Sequence, residues 1–186
     1  MTKSHAWFAL TSRPRHEKMV ADNLRVKGLE SFVPLYRARR QCTDRVQSVD
    51  LPLFPGYVFC RFVYTSRLPV LSTPGVTSVV GFSDVPAPVA DEEISRLRAI
   101  QASGLPSQPW PYVRVGQRAR IEWGSLAGLE GVLIREKDAL RVVVSVELLR
   151  RAVAVEIDRD IIRALEGAEH ASMAHVYLTN QTKAAI

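Results

Sequence analysis

Between residues 10 and 45 the chain carries Arg13, Arg15, Lys18, Arg25, Lys27, Arg37, Arg39, Arg40 and Arg45 against only Glu17, Asp22, Glu30 and Asp44. This one-fifth of the sequence holds +5 of a net +6, and the pI is about 9.7. Guanidinium and ammonium groups at this density hold polyanions, nucleic acid first. Arg13, Arg15 and Lys18, with His16 among them, surround the expected start of a helix, where backbone N–H groups already favour anions. A solvated charged face has the same composition, and both readings stand at this point. The polar run "RARRQCTDR" (37–45) offers more cations at what reads as a hairpin tip, for phosphate contact or for solubility.

Other chemistries lack their residues. The sequence has no GxSxG elbow, no phosphate loop and no His-Glu pair at zinc spacing, so a non-enzyme is expected. Asp91–Glu93 reads as a helix start rather than acid/base machinery. The histidines at 5, 16, 170 and 175 make no ligand set, Cys42 and Cys60 form no close-spaced motif, and neither metal nor cofactor is expected. No apolar run approaches the roughly 18 residues that span a bilayer. The N-terminal stretch lacks the apolar region of a signal peptide, so a cytoplasmic protein with reduced, inert thiols is expected.

The elements that position these residues come next. A strand is expected at 6–11 (AWFALT), then a helix capped by Ser12 with Pro14 in its first turn, Met19, Val20 and Leu24 along it, and Gly28 as its stop. Strands follow at 31–36 and 46–51. The stretch "LPLFPGYVFCRF" (51–62) enters a further strand through a Pro-Gly turn. Alternation sends Tyr57, Phe59 and Arg61 to one face, and Val58, Cys60 and Phe62 to the other. Both faces are apolar, which a sheet wetted on one side does not need. A short helix at 66–72, a strand at 76–82 and a helix from Asp91 to about Ala102, with Ile94, Leu97 and Ile100 on one stripe, complete an α+β unit with a mostly antiparallel sheet. "SGLPSQPWPYV" (103–113) reads as a semi-stiff linker. Strands at 118–123, 131–136, 141–147 and 152–157, with Gly116, Gly124, Gly128 and Gly131 at turns, then predict a small all-β barrel.

In order, "WFAL", "FVPL", "LFPGYVF", "TPGVTSVVGF", "PAPVADEEI" and "VGQRARIEWGSLAGLEGVL" resemble the NusG family of transcription elongation factors. The resemblance implies an α+β N-terminal domain of NusG type over residues 1–102, a linker at 103–112, a KOW β-barrel at 113–166 and a flexible tail at 167–186. "TSRPRHEK" and "LYRARR" are similar to specialised paralogs of the UpxY and RfaH kind, which accompany polysaccharide operons.

Several roles follow from the resemblance alone. An apolar cavity on the sheet face left open by helices would grip the clamp helices of the largest RNA polymerase subunit, lined by Tyr57, Phe59, Phe82, Ile94 and Leu97. Ordinary core is the rival reading of those side chains. The basic face would follow the non-template DNA strand, with Arg13, Arg15 and Lys18 on phosphates and base readout at His16, Arg13 or Asn23. "VSVELLRR" (144–151) would offer Leu148, Leu149 and Arg151 to the ribosomal protein NusE or to Rho, unless the leucines pack beneath the barrel. The run "RVVVSV" and the glycines oppose helix, so no switch of the KOW domain to a helical hairpin is expected. The implied function is that of a monomeric, polymerase-bound antiterminator or pause suppressor on selected operons. A general NusG-type factor coupling polymerase to Rho or the ribosome, and a KOW-bearing ribosomal or RNA-binding protein, are the alternatives.

Overall fold

The computed structural model describes residues 5–42, 45–82, 85–111, 116–136 and 139–165. The chain begins with β1 (Ala6–Ser12), α1 (Glu17–Val26), β2 (Glu30–Phe32), β3 (Leu35–Cys42), β4 (Arg45–Pro52) and β5 (Tyr57–Phe62). A 3-10 turn at Tyr64–Ser66 and the short α2 (Leu68–Leu71) lead to β6 (Val76–Val79), β7 (Gly81–Phe82), β8 (Val85–Pro86), β9 (Pro88–Val89) and α3 (Asp91–Ser103). The C-terminal half contains β10 (Ser107–Pro111), β11 (Arg118–Ile121), β12 (Glu130–Glu136), β13 (Ala139–Val146), β14 (Arg151–Ile157) and β15 (Ile162–Ala164).

The N-terminal sheet runs β2-β5-β1-β6, with β9 also on β1. Its centre is β5 antiparallel to β1, pairing Phe59 with Ala9 and Val58 with Leu10. The two greasy sides of β5 are explained by a covering layer on each. Val58, Cys60 and Phe62 pack with Phe8 and Leu10 against Val20, Ala21 and Leu24 of α1. Phe59 packs with Trp7, Leu53 and Phe54 against Ile94, Leu97 and Ile100 of α3. The expected open face is therefore covered: the three-residue spacing of Ile94, Leu97 and Ile100 puts them on one stripe of α3, which packs across it.

Other boundaries differ from the expectation for local reasons. Ser12 ends β1 rather than capping α1; residues 13–16 form a turn, and the helix starts at Glu17 behind His16. The strand expected at 31–36 is two, interrupted at Pro34. "RARRQCTDR" is mostly strand: β3 and β4 pair from Leu35–Pro52 out to Cys42–Arg45 as a separate two-stranded ribbon. The strand expected at 76–82 is broken, and Gly81–Phe82 folds onto Val85–Pro86 as its own small hairpin.

The C-terminal strands form one antiparallel sheet in the order β10-β14-β13-β12-β11-β15. Its first member comes from the stretch expected as linker, with Gln108 opposite Ala154 and Trp110 opposite Ala152. Pro109 and Pro111 are tolerated because β10 is an edge strand and the two prolines, two residues apart, lack N–H groups on the same side. Gly131 is required where β12 meets β13, since a Cβ there would lie 2.4 Å from the Val143 carbonyl oxygen. Val142, Val144, Val146, Val153, Val155 and Ile157 continue the same buried cluster that contains Phe59 and α3. The two halves thus share a core. The tail expected at 167–186 lies outside the described residues.

Candidate functional site

The basic site is built on the turn between β1 and α1. Arg13 N–H donates to the Gly75 carbonyl at 2.9 Å and His16 N–H to the Arg13 carbonyl at 3.1 Å, closing the turn. Arg15 within it has φ 65°, the left-handed region that non-glycine residues enter at a cost. His16 Nδ1 lies 2.9 Å from the Pro14 carbonyl. A carbonyl only accepts, so Nδ1 donates to it, which leaves Nε2 as the acceptor of a neutral ring. Glu17 is buried and accepts the Gly56 N–H at 2.7 Å, tying the helix to the Pro-Gly turn before β5. Glycine suits that turn because its φ is 84°. Lys18 Nζ donates to the Asp50 carbonyl at 2.8 Å, tying α1 to the ribbon.

Arg13, Arg15 and Lys18 are exposed, while His16, which caps α1, and Asn23 on α1 are half-buried. Arg15 and Lys18 line a groove of about 540 Å³ with Tyr36, Leu51, Pro52 and Pro55; Arg13, His16 and Asn23 are not part of its wall. The sequence reading missed the ribbon's contribution. The pairing of Tyr36 with Leu51, which brings both to the groove, depends on a register across a stretch expected to be a loop.

The apolar residues do not gather in one open hollow. Phe59, Ile94 and Leu97 are all at most 1% exposed. The Phe59 ring meets Phe54 edge-on at 6.0 Å and Phe32 at 6.4 Å. Tyr57 is half-buried against the same cluster. Phe82 stands apart on the β7–β8 hairpin, 67% exposed beside an equally exposed Val85. At the rim of the α3 face, Arg98 bonds Glu30 at 2.8 Å and lies 4.9 Å over the Trp7 ring.

In the C-terminal half Leu148 is half-buried, Leu149 is buried and Arg151 is exposed. The turn before β14 is closed by Arg150 N–H to the Glu147 carbonyl at 3.1 Å, with Arg150 at φ 50°. This turn touches α3: Glu147 N–H donates to Glu93 Oε1 at 3.2 Å. Burial pushes the Glu93 carboxyl above the usual carboxylate range; the Glu147 N–H and Arg96 oppose the shift, and the Glu147 carboxylate adds to it. A cavity of about 430 Å³ separates Glu92, Glu93 and Arg96 from Arg118, Glu130 and Glu147. Cys60 is buried, and burial reinforced by Glu30 pushes its thiol up to about 12, which keeps it protonated and unreactive. Among the described residues no three His, Cys, Asp or Glu side chains gather as a metal-ligand set, and no helix is long and apolar enough to cross a membrane.

Comparison with known proteins agrees with this architecture. Residues 5–98 match the family described as "Transcription termination factor nusG". The Escherichia coli (strain K12) "Transcription termination/antitermination protein NusG" is 34% identical over 167 residues, 82% of this chain and 92% of that protein. The chain belongs to the NusG family. The Lactococcus lactis NusG of the same description is 26% identical over 174 residues, 86% of this chain and 93% of that one. Among solved structures, "Domain interaction in Thermotoga maritima NusG" superposes with a TM-score of 0.53 at 21% identity, covering 88% of this chain and 98% of that chain. The family match spans β1 through most of α3, so it takes in the basic turn, the ribbon and both covered faces of the NusG-type sheet.

Proposed function

We propose that this chain is a non-enzymatic elongation factor that rides RNA polymerase and suppresses pausing or termination on selected operons, in the manner of the UpxY and RfaH paralogs. The observation that supports the reading is the exposed basic turn Arg13–Lys18 on a NusG-family sheet, which we read as the face that follows the non-template strand beside the polymerase. Polymerase contact is assigned to the α3 side of the sheet, through Tyr57 at its margin and the projecting Phe82, towards the clamp helices of the largest subunit. Because the C-terminal sheet shares the core beneath α3, full engagement there requires that sheet to lift, with the energy supplied by differential binding of the partner. The C-terminal sheet is read as the KOW domain; once lifted it keeps its β structure and presents Leu148, Leu149 and Arg151 to NusE or Rho. A cytoplasmic, monomeric protein fits these roles.

A second reading, a general NusG-type factor that couples polymerase to Rho or the ribosome, is supported by the 34% identity to a general NusG over 82% of the chain. The reading as a KOW-bearing ribosomal protein leaves the family-matched residues 5–98 without a role. Pull-down of core polymerase against ribosomal subunits, with and without nuclease, tests the common ground; failure to retain polymerase overturns it. Transcription across a polysaccharide-operon leader and across a Rho-dependent terminator then separates the two. Read-through confined to the first supports the specialised role, and stimulated termination at the second supports the general one.

A further inference from the structure

We propose that the groove between α1 and the base of the β3–β4 ribbon binds one nucleotide, its base against Tyr36 and its phosphate on Arg15 and Lys18. The inference rests on reading the Arg13–Lys18 turn as a nucleic-acid face and gives that face a place for a base.

The groove holds about 540 Å³, within the roughly 300–1,000 Å³ of small-molecule sites. Its walls are mainly apolar, from the half-buried Tyr36, Leu51 and three prolines at 14, 52 and 55, with Glu17 and Asp50 also on the lining. Such a lining suits a planar ring with few polar demands. Charge at the groove is unevenly committed. The Glu17 carboxylate already accepts the Gly56 N–H, and Asp50 lies 3.8 Å from Arg37. Lys18 spends one N–H on the Asp50 carbonyl and keeps two. Arg15 has no hydrogen-bond or ion-pair partner among the described residues, although its backbone is held at φ 65°. Holding a non-glycine residue there costs free energy, and such positions cluster where a side chain must be presented to a ligand. An apolar slot with a presented guanidinium and a tethered ammonium at its mouth recognises a base with an attached phosphate. An apolar peptide would leave those cations unused.

The test is fluorescence anisotropy of the full chain with a labelled short single strand, its all-abasic counterpart and unlabelled mononucleotide as competitor. Tyr36→Leu and the abasic strand are each expected to weaken binding about tenfold, the worth of one base–aromatic stack, while Tyr36→Phe binds as wild type. Arg15→Gly is the folding control: glycine accepts the left-handed backbone, so affinity falls while Tm holds or rises. Displacement by mononucleotide identifies a free nucleotide as the ligand, and resistance to displacement identifies a nucleotide within a strand; both support the site. Unchanged affinity for Tyr36→Leu and for the abasic strand overturns the groove while leaving the phosphate-tracking face intact. Absence of any salt-dependent binding overturns both.

Discussion

The two faces of the N-terminal sheet are built from the same strands and serve different ends. Beneath α1, Val20, Ala21 and Leu24 close on Phe8, Leu10, Val58, Cys60 and Phe62, and that core belongs to the N-terminal half alone. Beneath α3, Phe59, Ile94, Leu97 and Ile100 lie in a core that continues through Val144, Val146 and Leu149 of the C-terminal sheet. The first is a private core and sets whether the sheet folds. The second is shared, so its integrity depends on whether the two halves stay together. A partner that competes for the α3 side therefore has to be measured against the shared core only.

The largest effect is expected from Phe59→Ala, which should cost about 3–5 kcal/mol because the ring is fully buried between the sheet and α3. A urea titration reads this directly, and a variant that loses polymerase binding with its midpoint unchanged would break the assignment of Phe59 to the core. Leu24→Ala on the private face should cost about 2–5 kcal/mol. Unlike Phe59→Ala, it should leave the Glu93–Glu147 contact in place below the melting transition, as followed by the Glu147 amide resonance.

The pH dependence of the shared face comes next in size. The Glu93 carboxyl has a raised pKa where α3 meets the C-terminal sheet, so the closed chain binds more protons than the open or unfolded one. Stability from this contact is greatest below the ordinary carboxylate range and declines as pH rises through the raised value. Glu93→Gln keeps an oxygen for the Glu147 N–H and should flatten that part of the Tm-versus-pH curve while raising Tm at neutral pH. A slope identical to wild type would remove Glu93 from the contact. The smallest effect belongs to the exposed aromatics: Phe82→Ser and Trp123→Ser should each stay within about 0.5 kcal/mol of wild type in stability. For Phe82, a loss of polymerase retention without loss of Tm would support the proposal that it is a contact.

What could be read from the sequence depended on how local its cause is. The acids at 91–93 followed by Ile94, Leu97 and Ile100 announce α3, and β5 shows in its alternation, because each pattern is complete within a dozen residues. The ribbon was hidden because Arg37–Cys42 are mostly polar, and only pairing with residues 45–50 makes them strand. At α1 the signals misled: Ser12 and Pro14 have the composition of a helix start, yet Arg15 turns left-handed and delays the helix to Glu17. Of the apolar residues named for a pocket, Phe59, Ile94 and Leu97 are buried together, Tyr57 is half-buried and Phe82 stands exposed on its own hairpin. The burial of Phe59 could not be read from its strand, since it follows from α3 folding back from more than thirty residues downstream. The groove needed the ribbon's register and escaped for the same reason.

The edge strand Ser107–Pro111 has a mechanical consequence. While it stays zipped to β14, only residues 104–106 join α3 to the C-terminal sheet, a leash of about 10 Å at full stretch. With that strand unzipped, the connection from α3 to β11 is the 14 residues 104–117, with a reach of roughly 45 Å. The C-terminal half therefore has two radii of action, and five backbone pairings set which one is in force.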